Sequence, residues 1–142
     1  MGTVYHYHHT VEPREIDALG HASNVAYVEW MQSAALAHSA AQGWPAEAYR
    51  RLGQGFVVRE HRIEYLRPAR LGDAIVVETW VATMRKASSL RRYRMLRPAD
   101  KSILAEAETR WAFVDLETGQ PARIPSQIAQ AFQIRAGLSP GK

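Results

Sequence analysis

Apolar and polar positions along the chain follow two different patterns. From Ser102 to Val114 they alternate: Ile103, Ala105, Ala107, Thr109, Trp111 and Phe113 fall on one face, and Glu106, Glu108 and Arg110 on the other. A period of two predicts a half-buried antiparallel strand over residues 102–114. Residues 5–12, 57–66, 74–84 and 88–97 are rich in strand formers and read as four more strands. In the 74–84 run, Val76, Trp80 and Met84 lie on one face and Ile75, Val77 and Val81 on the other, so cover is expected on both sides. Turns are expected at Leu71-Gly72-Asp73, Ala99-Asp100-Lys101 and Glu117-Thr118-Gly119.

The second pattern lies between the first two strands. Residues 24–42 contain no Pro or Gly and are rich in Ala, and Gly43 and Pro45 come next as a stop. They predict a helix, Asn24–Gln42, of about five turns, capped by Ser23 or Asn24. It is apolar almost all round, through Val25, Tyr27, Val28, Trp30, Met31 and a series of alanines. A helix without a wide polar face is normally buried, so the strands are expected to wrap it. Pro125 can open a short C-terminal helix through Phe132. Strands segregated from one long helix argue for an α+β fold with an antiparallel sheet.

Composition narrows the chemistry. The 142 residues fit one domain over 1–142, with a core over about 5–134 and a tail at 135–142. The absence of cysteine removes disulfides, thiolate metal sites and a Cys nucleophile. It is compatible with the cytoplasm, the expected location. Residues 1–11 have no apolar signal-peptide core, and no apolar run is long enough for a membrane span. The net charge of +4 favours anionic partners. No nucleic-acid recognition motif accompanies it, so no nucleic-acid partner is expected. His6 and His8 share a strand face, but a third ligand at characteristic spacing is lacking, so no metal is expected. There is no G-x-S-x-G, G-x-G-x-x-G or P-loop pattern.

One segment carries candidate chemistry. Asp17, Gly20, His21, Asn24 and Tyr27 form the pattern D-x-x-G-H-x-x-N-x-x-Y between the first strand and the long helix. The pattern resembles that of the 4-hydroxybenzoyl-CoA thioesterase-like family of hotdog proteins, in particular its bacterial acyl-CoA thioesterase branch with the Tol-Pal-associated members. Phe56–Glu60 and Ile63–Asp73 resemble the family's second strand and the turn after it. Trp111–Asp115, Gly119 and Arg123-Ile124-Pro125 resemble its last strand and C-terminal turn. The resemblance covers residues 11 to about 132. It implies a hotdog fold, a long central helix wrapped by an antiparallel sheet of five or six strands.

Thioester hydrolysis needs a nucleophile or an activated water, and a stabilised oxyanion. Asp17 can attack the carbonyl or take a proton from water, and both routes stay open. The free amides of Asn24 and Val25 at the helix N-terminus can polarise the carbonyl. Gly20 lets the backbone turn sharply beside the substrate. His21 and the Asn24 side chain can orient the loop or hold a water; a structural hydrogen bond for His21 and a cap for Asn24 are the alternatives. Tyr27 lines the acyl pocket or packs in the core. Arg85, Lys86, Ser88 and Ser89 combine cations and hydroxyls that suit the phosphates of CoA. The alternative for them is a solvated basic hairpin.

The resemblance further implies an acyl-CoA substrate, with CoA part of the substrate and no metal or organic cofactor. It also implies a homo-oligomer, dimer or tetramer, with the site at the subunit interface and CoA contacts from both chains. An acyl-ACP thioesterase, a non-catalytic acyl-CoA binder and a hotdog hydratase are the rival readings.

Overall fold

The computed structural model describes residues 4–135. All but Arg135 of the tail expected at 135–142 lie outside the described residues. Five strands, β1 (Tyr5–Thr10), β2 (Gln54–Tyr65), β3 (Ala74–Met84), β4 (Ser88–Arg97) and β5 (Ser102–Asp115), form one antiparallel sheet in the order β1-β3-β4-β5-β2. The long helix α1 (Asn24–Ala41) packs across one face of it. This is the hotdog arrangement. A short helix α2 (Ala46–Leu52) precedes β2, and α3 (Ser126–Ala129) comes after β5.

The core is built by α1 against the inner face of the sheet. Tyr27, Trp30, Met31 and Ala34 meet Ile75 and Val77 of β3, Tyr93 and Met95 of β4, and Leu104 and Ala105 of β5. Small side chains such as Ala26 and Ala34 let the helix axis lie close to the strands. A second apolar cluster, Val81, Phe113, Ile124, Ile128 and Phe132, closes the far end of the sheet beneath α3.

Register shifts interrupt the strand pairing. One lies between Met95 and Leu96, where Met95 faces Ala105 but Leu96 faces Ile103. The extra residue is Leu104, which is fully buried in the core. A bulge advances the strand by one residue and so exchanges its faces. The alternation expected from Ile103 therefore holds only from Ala105 onward: Ala105, Thr109 and Phe113 are buried, and Ile103 is not part of the core. A similar shift lies between Val81 and Thr83, and Trp80, Val81 and Ala82 are buried in succession. β3 is thus covered on both sides, as its mixed pattern predicts.

Three features differ from the sequence expectation. α2 is absent from it, because Gly43 and Pro45 are there taken up as the end of α1. Pro45 is in fact the N-cap of α2, and Gly53, at φ 77°, ends it. β2 consequently starts at Gln54 rather than 57. α1 is not wrapped all round, since Val25 and Leu36 on its outward side are 66% and 59% exposed. The outer face of the sheet is polar, as the placing of Glu106 and Glu108 opposite the apolar face predicts. Arg62, Glu64, Arg92, Arg94, Glu106 and Glu108 surround Trp80 there, with Arg92 Nε 3.6 Å from Glu108.

A polar cluster lies within the core beside the C-terminal half of α1. Arg91 Nη1 donates to His38 Nδ1 at 2.9 Å and to Thr79 Oγ1 at 3.1 Å, and Thr79 donates onward to the Arg92 carbonyl. His38 also stacks on Tyr5 at 5.2 Å. Burial, then the neighbouring Arg91 charge, lowers the His38 pKa to about 4. Between pH 6.5 and 4 the unfolded chain takes up a proton at His38 that the folded chain refuses. Stability is therefore complete above 6.5 and falls as the pH drops toward 4. The expected loss is about 2 kcal/mol after allowance for solvent screening. Thermal denaturation across this range should show a flatter pH dependence for His38→Gln than for wild type, and parallel curves would refute the assignment.

Candidate active site

The candidate catalytic loop is a tight reversal between β1 and α1. Ile16 and Ala22 form a bridge that closes it. Within it, the Asp17 amide donates to the His21 carbonyl at 2.8 Å, and the Gly20 amide donates to the Asp17 carbonyl at 3.0 Å. Gly20 has φ +86°, a conformation that costs other residues about 1–2 kcal/mol. The Asp17 carboxylate caps its own loop. Its Oδ1 accepts the Leu19 amide at 2.9 Å and the His21 amide at 3.3 Å, while Oδ2 takes no hydrogen bond in the described residues. One oxygen thus fixes the loop and the other is open. The residue is exposed in the single chain, and Leu19 beside it is 83% exposed.

The loop is held from below by Glu15, a residue outside the sequence motif. Glu15 is buried, and its carboxylate accepts hydrogen bonds from His9 Nε2 at 2.9 Å, the Glu12 amide at 2.9 Å and Trp30 Nε1 at 2.9 Å. Its carbonyl accepts the Ser23 amide at 2.8 Å, which ties the end of the loop to its start. Burial works to raise the Glu15 pKa, but the bonds from His9, Glu12 and Trp30 outweigh it and hold the pKa below the ordinary value. The signal available for it in the sequence is its spacing from Glu12 in Glu12-Pro13-Arg14-Glu15, an acid three residues into a Pro-started turn.

Ser23 rather than Asn24 is the N-cap of α1, its Oγ accepting the Ala26 amide at 3.2 Å. Asn24 and Val25 hold the first two helical positions, where an amide has no carbonyl one turn earlier in the helix. Their amides, with the positive end of the helix dipole, are available to an oxygen anion. Both residues are exposed, and the Asn24 side chain makes no hydrogen bond in the described residues. The His21 ring is half-buried and likewise makes none.

Tyr27 sits in the core. Its hydroxyl accepts the Ala69 amide at 3.1 Å and donates to the Arg67 carbonyl at 3.4 Å. Together with the Ala22 amide donating to the Ala69 carbonyl, it fixes the loop and helix to the segment after β2. Tyr65 stands edge-on to Tyr27, and its hydroxyl donates to the Asn24 carbonyl at 3.3 Å.

Arg85, Lys86 and Ser88 are exposed in the β3–β4 hairpin, where the Arg85 amide donates to the Ser88 carbonyl. Ser89 is buried and donates its hydroxyl to the Thr83 carbonyl at 2.8 Å, so its proton is committed within the chain. This hairpin and the Asp17 loop are at opposite ends of β3. The loop lies at the Ala74 end, where the Val11 amide meets the Asp73 carbonyl. The hairpin lies beyond Met84, eleven strand residues away, or about 35 Å. The single chain brings Asp17, Gly20, His21, Asn24 and Val25 together and leaves Arg85, Lys86, Ser88 and Ser89 apart from them. Among the described residues no three His, Asp or Glu side chains converge as metal ligands; His9 is engaged with Glu15, and His6 lies 3.3 Å from Glu78.

An antiparallel sheet over one long helix, with a capped acidic loop at the helix N-terminus, defines a hotdog protein of thioesterase type. A sequence profile described as the thioesterase-like superfamily matches residues 11–132, and the chain belongs to that superfamily. It is 32% identical over 113 residues to the acyl-CoA thioester hydrolase YbgC of Escherichia coli O6:H1, covering 80% of this chain and 81% of the relative. Among solved structures, hypothetical protein TT1821 from Thermus thermophilus superposes with a TM-score of 0.83 at 27% identity, covering 90% of this chain and 96% of the other. Slr0204 from Synechocystis, a 1,4-dihydroxy-2-naphthoyl-CoA thioesterase, superposes with a TM-score of 0.84 at 16% identity, covering 90% and 94%, which speaks to the fold alone.

Proposed function

We propose that this protein is a cytoplasmic acyl-CoA thioesterase of the Tol-Pal-associated kind that hydrolyses acyl-CoA to the free acid and CoA. The observation that carries the reading is the open Oδ2 of Asp17 in a loop that ends at the unbonded amides of Asn24 and Val25. The carboxylate delivers water to the thioester carbonyl or attacks it. The two amides hold the oxyanion, and collapse expels the CoA thiolate. His21 and the Asn24 side chain hold the water or the leaving group in line. Gly20 supplies the close approach. No metal or organic cofactor takes part.

The CoA phosphates are assigned to Arg85, Lys86 and Ser88, with Ser89 supporting the hairpin from within. A second copy of the chain accounts for their distance from Asp17. β2 is an edge strand. Its Tyr65 end touches Asn24, and its Gln54 end lies by Asp115, close to where the Phe113 amide donates to the Ala87 carbonyl. Two β2 edges paired antiparallel about a two-fold axis set the Tyr65 end of one copy beside the Gln54 end of the other. Asp17 of one subunit then faces the basic hairpin of its partner, and each dimer holds two shared sites. A tetramer would be a pairing of such dimers.

Mixing provides the test. Asp17→Asn and the double variant Arg85→Ala/Lys86→Ala are each expected to be poorly active at low acyl-CoA. Mixed dimers contain one site with both elements intact, so co-refolded mixtures should regain activity toward a quarter of wild type. No recovery in verified mixed dimers would refute the shared site. The double variant should raise KM about tenfold or more with kcat little changed, since its cations touch the carrier and not the reacting atoms. Acyl-ACP assayed beside acyl-CoA separates the carriers, and faster turnover of the ACP thioester would overturn the assignment to CoA.

A further inference from the structure

We infer that the cavity beside the C-terminal half of α1 is a binding site for a small apolar carboxylate, anchored by Arg91. The cavity has a volume of about 240 Å³ and is lined mainly by apolar side chains, among them Leu36, Tyr49, Phe56, Trp111 and Phe132. Arg91 lines it while being only 6% exposed. The site stands or falls independently of the thioesterase reading.

The grounds are electrostatic. A guanidinium stays protonated in a protein, and a buried charge is costly unless an opposite charge compensates it. Arg91 has no carboxylate within ion-pair distance among the described residues. Its two partners are neutral: the Thr79 hydroxyl, and His38, which remains uncharged at pH 7. Both bonds leave from Nη1. Nε and Nη2 make no hydrogen bond in the described residues, and those two atoms form the side of the guanidinium fork that binds a carboxylate in two parallel bonds. Among the described residues no Asp or Glu lines the cavity, and the one further charged side chain that does, Arg50, is exposed. The remaining hydroxyls do not compete for the anion. Ser39 Oγ donates to the Trp44 carbonyl at 2.7 Å and accepts from Tyr49 Oη at 2.9 Å. The cavity thus presents one buried cation with no counter-charge among the described residues, in a mainly apolar chamber, which is the complement of an acid with a hydrocarbon body.

Size restricts that body. A cavity of about 150 Å³ holds benzene, so 240 Å³ holds about ten non-hydrogen atoms, the size of octanoate or phenylacetate. Such a carboxylate can be a free acid or the far end of an ω-carboxyacyl group.

Calorimetric titration with octanoate tests the site, with 1-octanol as the uncharged control. Octanoate should bind wild type and Asp17→Asn alike, and octanol at least tenfold more weakly. Arg91→Met should lose octanoate affinity at least tenfold. It is expected to stay folded, because removing an uncompensated buried charge relieves a cost. Leu36→Glu, an exposed substitution that places a negative charge on the cavity wall, should also weaken octanoate binding and guards against a folding defect in the first variant. Equal octanoate affinity in wild type and Arg91→Met, octanol binding as tight as octanoate, or no octanoate binding at millimolar concentration would each overturn the inference. The source of the acid emerges from thioester kinetics. A higher KM of Arg91→Met for an ω-carboxyoctanoyl thioester, with octanoyl-CoA unchanged, identifies a substrate's far end. Unchanged KM for both, with octanoate binding lost, identifies a free acid.

Discussion

Asp17→Asn is expected to lower kcat/KM for acyl-CoA at least about a hundredfold without unfolding the protein. The structure explains why the two effects separate. Oδ1 holds the loop by accepting the Leu19 and His21 amides, and an asparagine carbonyl can accept the same two bonds. What the amide loses is the negative charge at the open oxygen, the base or nucleophile of the proposed mechanism. The expected signature is an unchanged melting temperature, little change in KM and a collapse in kcat. An Asp17→Asn variant that melts normally and still turns over a good substrate at near wild-type rate would remove Asp17 from the chemistry.

Glu15→Ala should be the most destabilising single change near the site. The carboxylate is the acceptor for Trp30 Nε1, His9 Nε2 and the Glu12 amide, and truncation leaves these donors unpaired, the first of them buried and the other two partly so. A buried donor that loses its partner costs about 1–3 kcal/mol, so the total is expected at about 2–4 kcal/mol. This is a large part of the stability of a domain this size. In a thermal melt it corresponds to a fall of about 10 °C. Glu15→Gln retains an acceptor oxygen and should cost less. Because the folded pKa of Glu15 is lowered, its contribution is complete above the ordinary carboxylate value and is lost as the pH falls through the lowered one. That window lies below the onset of the loss from His38, so the two residues can be told apart in pH-dependent melts. A Glu15→Ala protein as stable as wild type would show that the hub is not what holds the loop.

Much of this architecture is legible in the sequence because it rests on local signals. β5 comes from its alternation, β3 and β4 from runs of strand formers, and the long helix from its Ala-rich stretch and the Gly and Pro that stop it, and the Asp17–Tyr27 pattern marks the turn into the helix. The rest depends on contacts between distant residues. The bulge that buries Leu104 is invisible to an alternating pattern, because one extra residue exchanges the faces. Pro45 reads as a terminator of α1 or as an initiator of α2, and only the packing of Tyr49 against Phe56 decides for the second. The opposite faces of Arg91 and Arg92 are readable, and one of the two has to point inward. That the inward one meets His38, 53 positions earlier, requires the fold. The separation of the basic hairpin from Asp17 cannot be read at all, since both segments look equally fit to hold the same ligand until the sheet places them at opposite ends.

Release of free thiol from a panel of short-chain, medium-chain and aromatic acyl-CoAs by the purified protein is the decisive assay for thioesterase activity. Rapid release from at least one member, stoichiometric with free acid, is the predicted result. Silence of the folded protein on every acyl-CoA and acyl-ACP offered, despite measurable binding, would contradict it and leave a hotdog protein that binds thioesters without cleaving them.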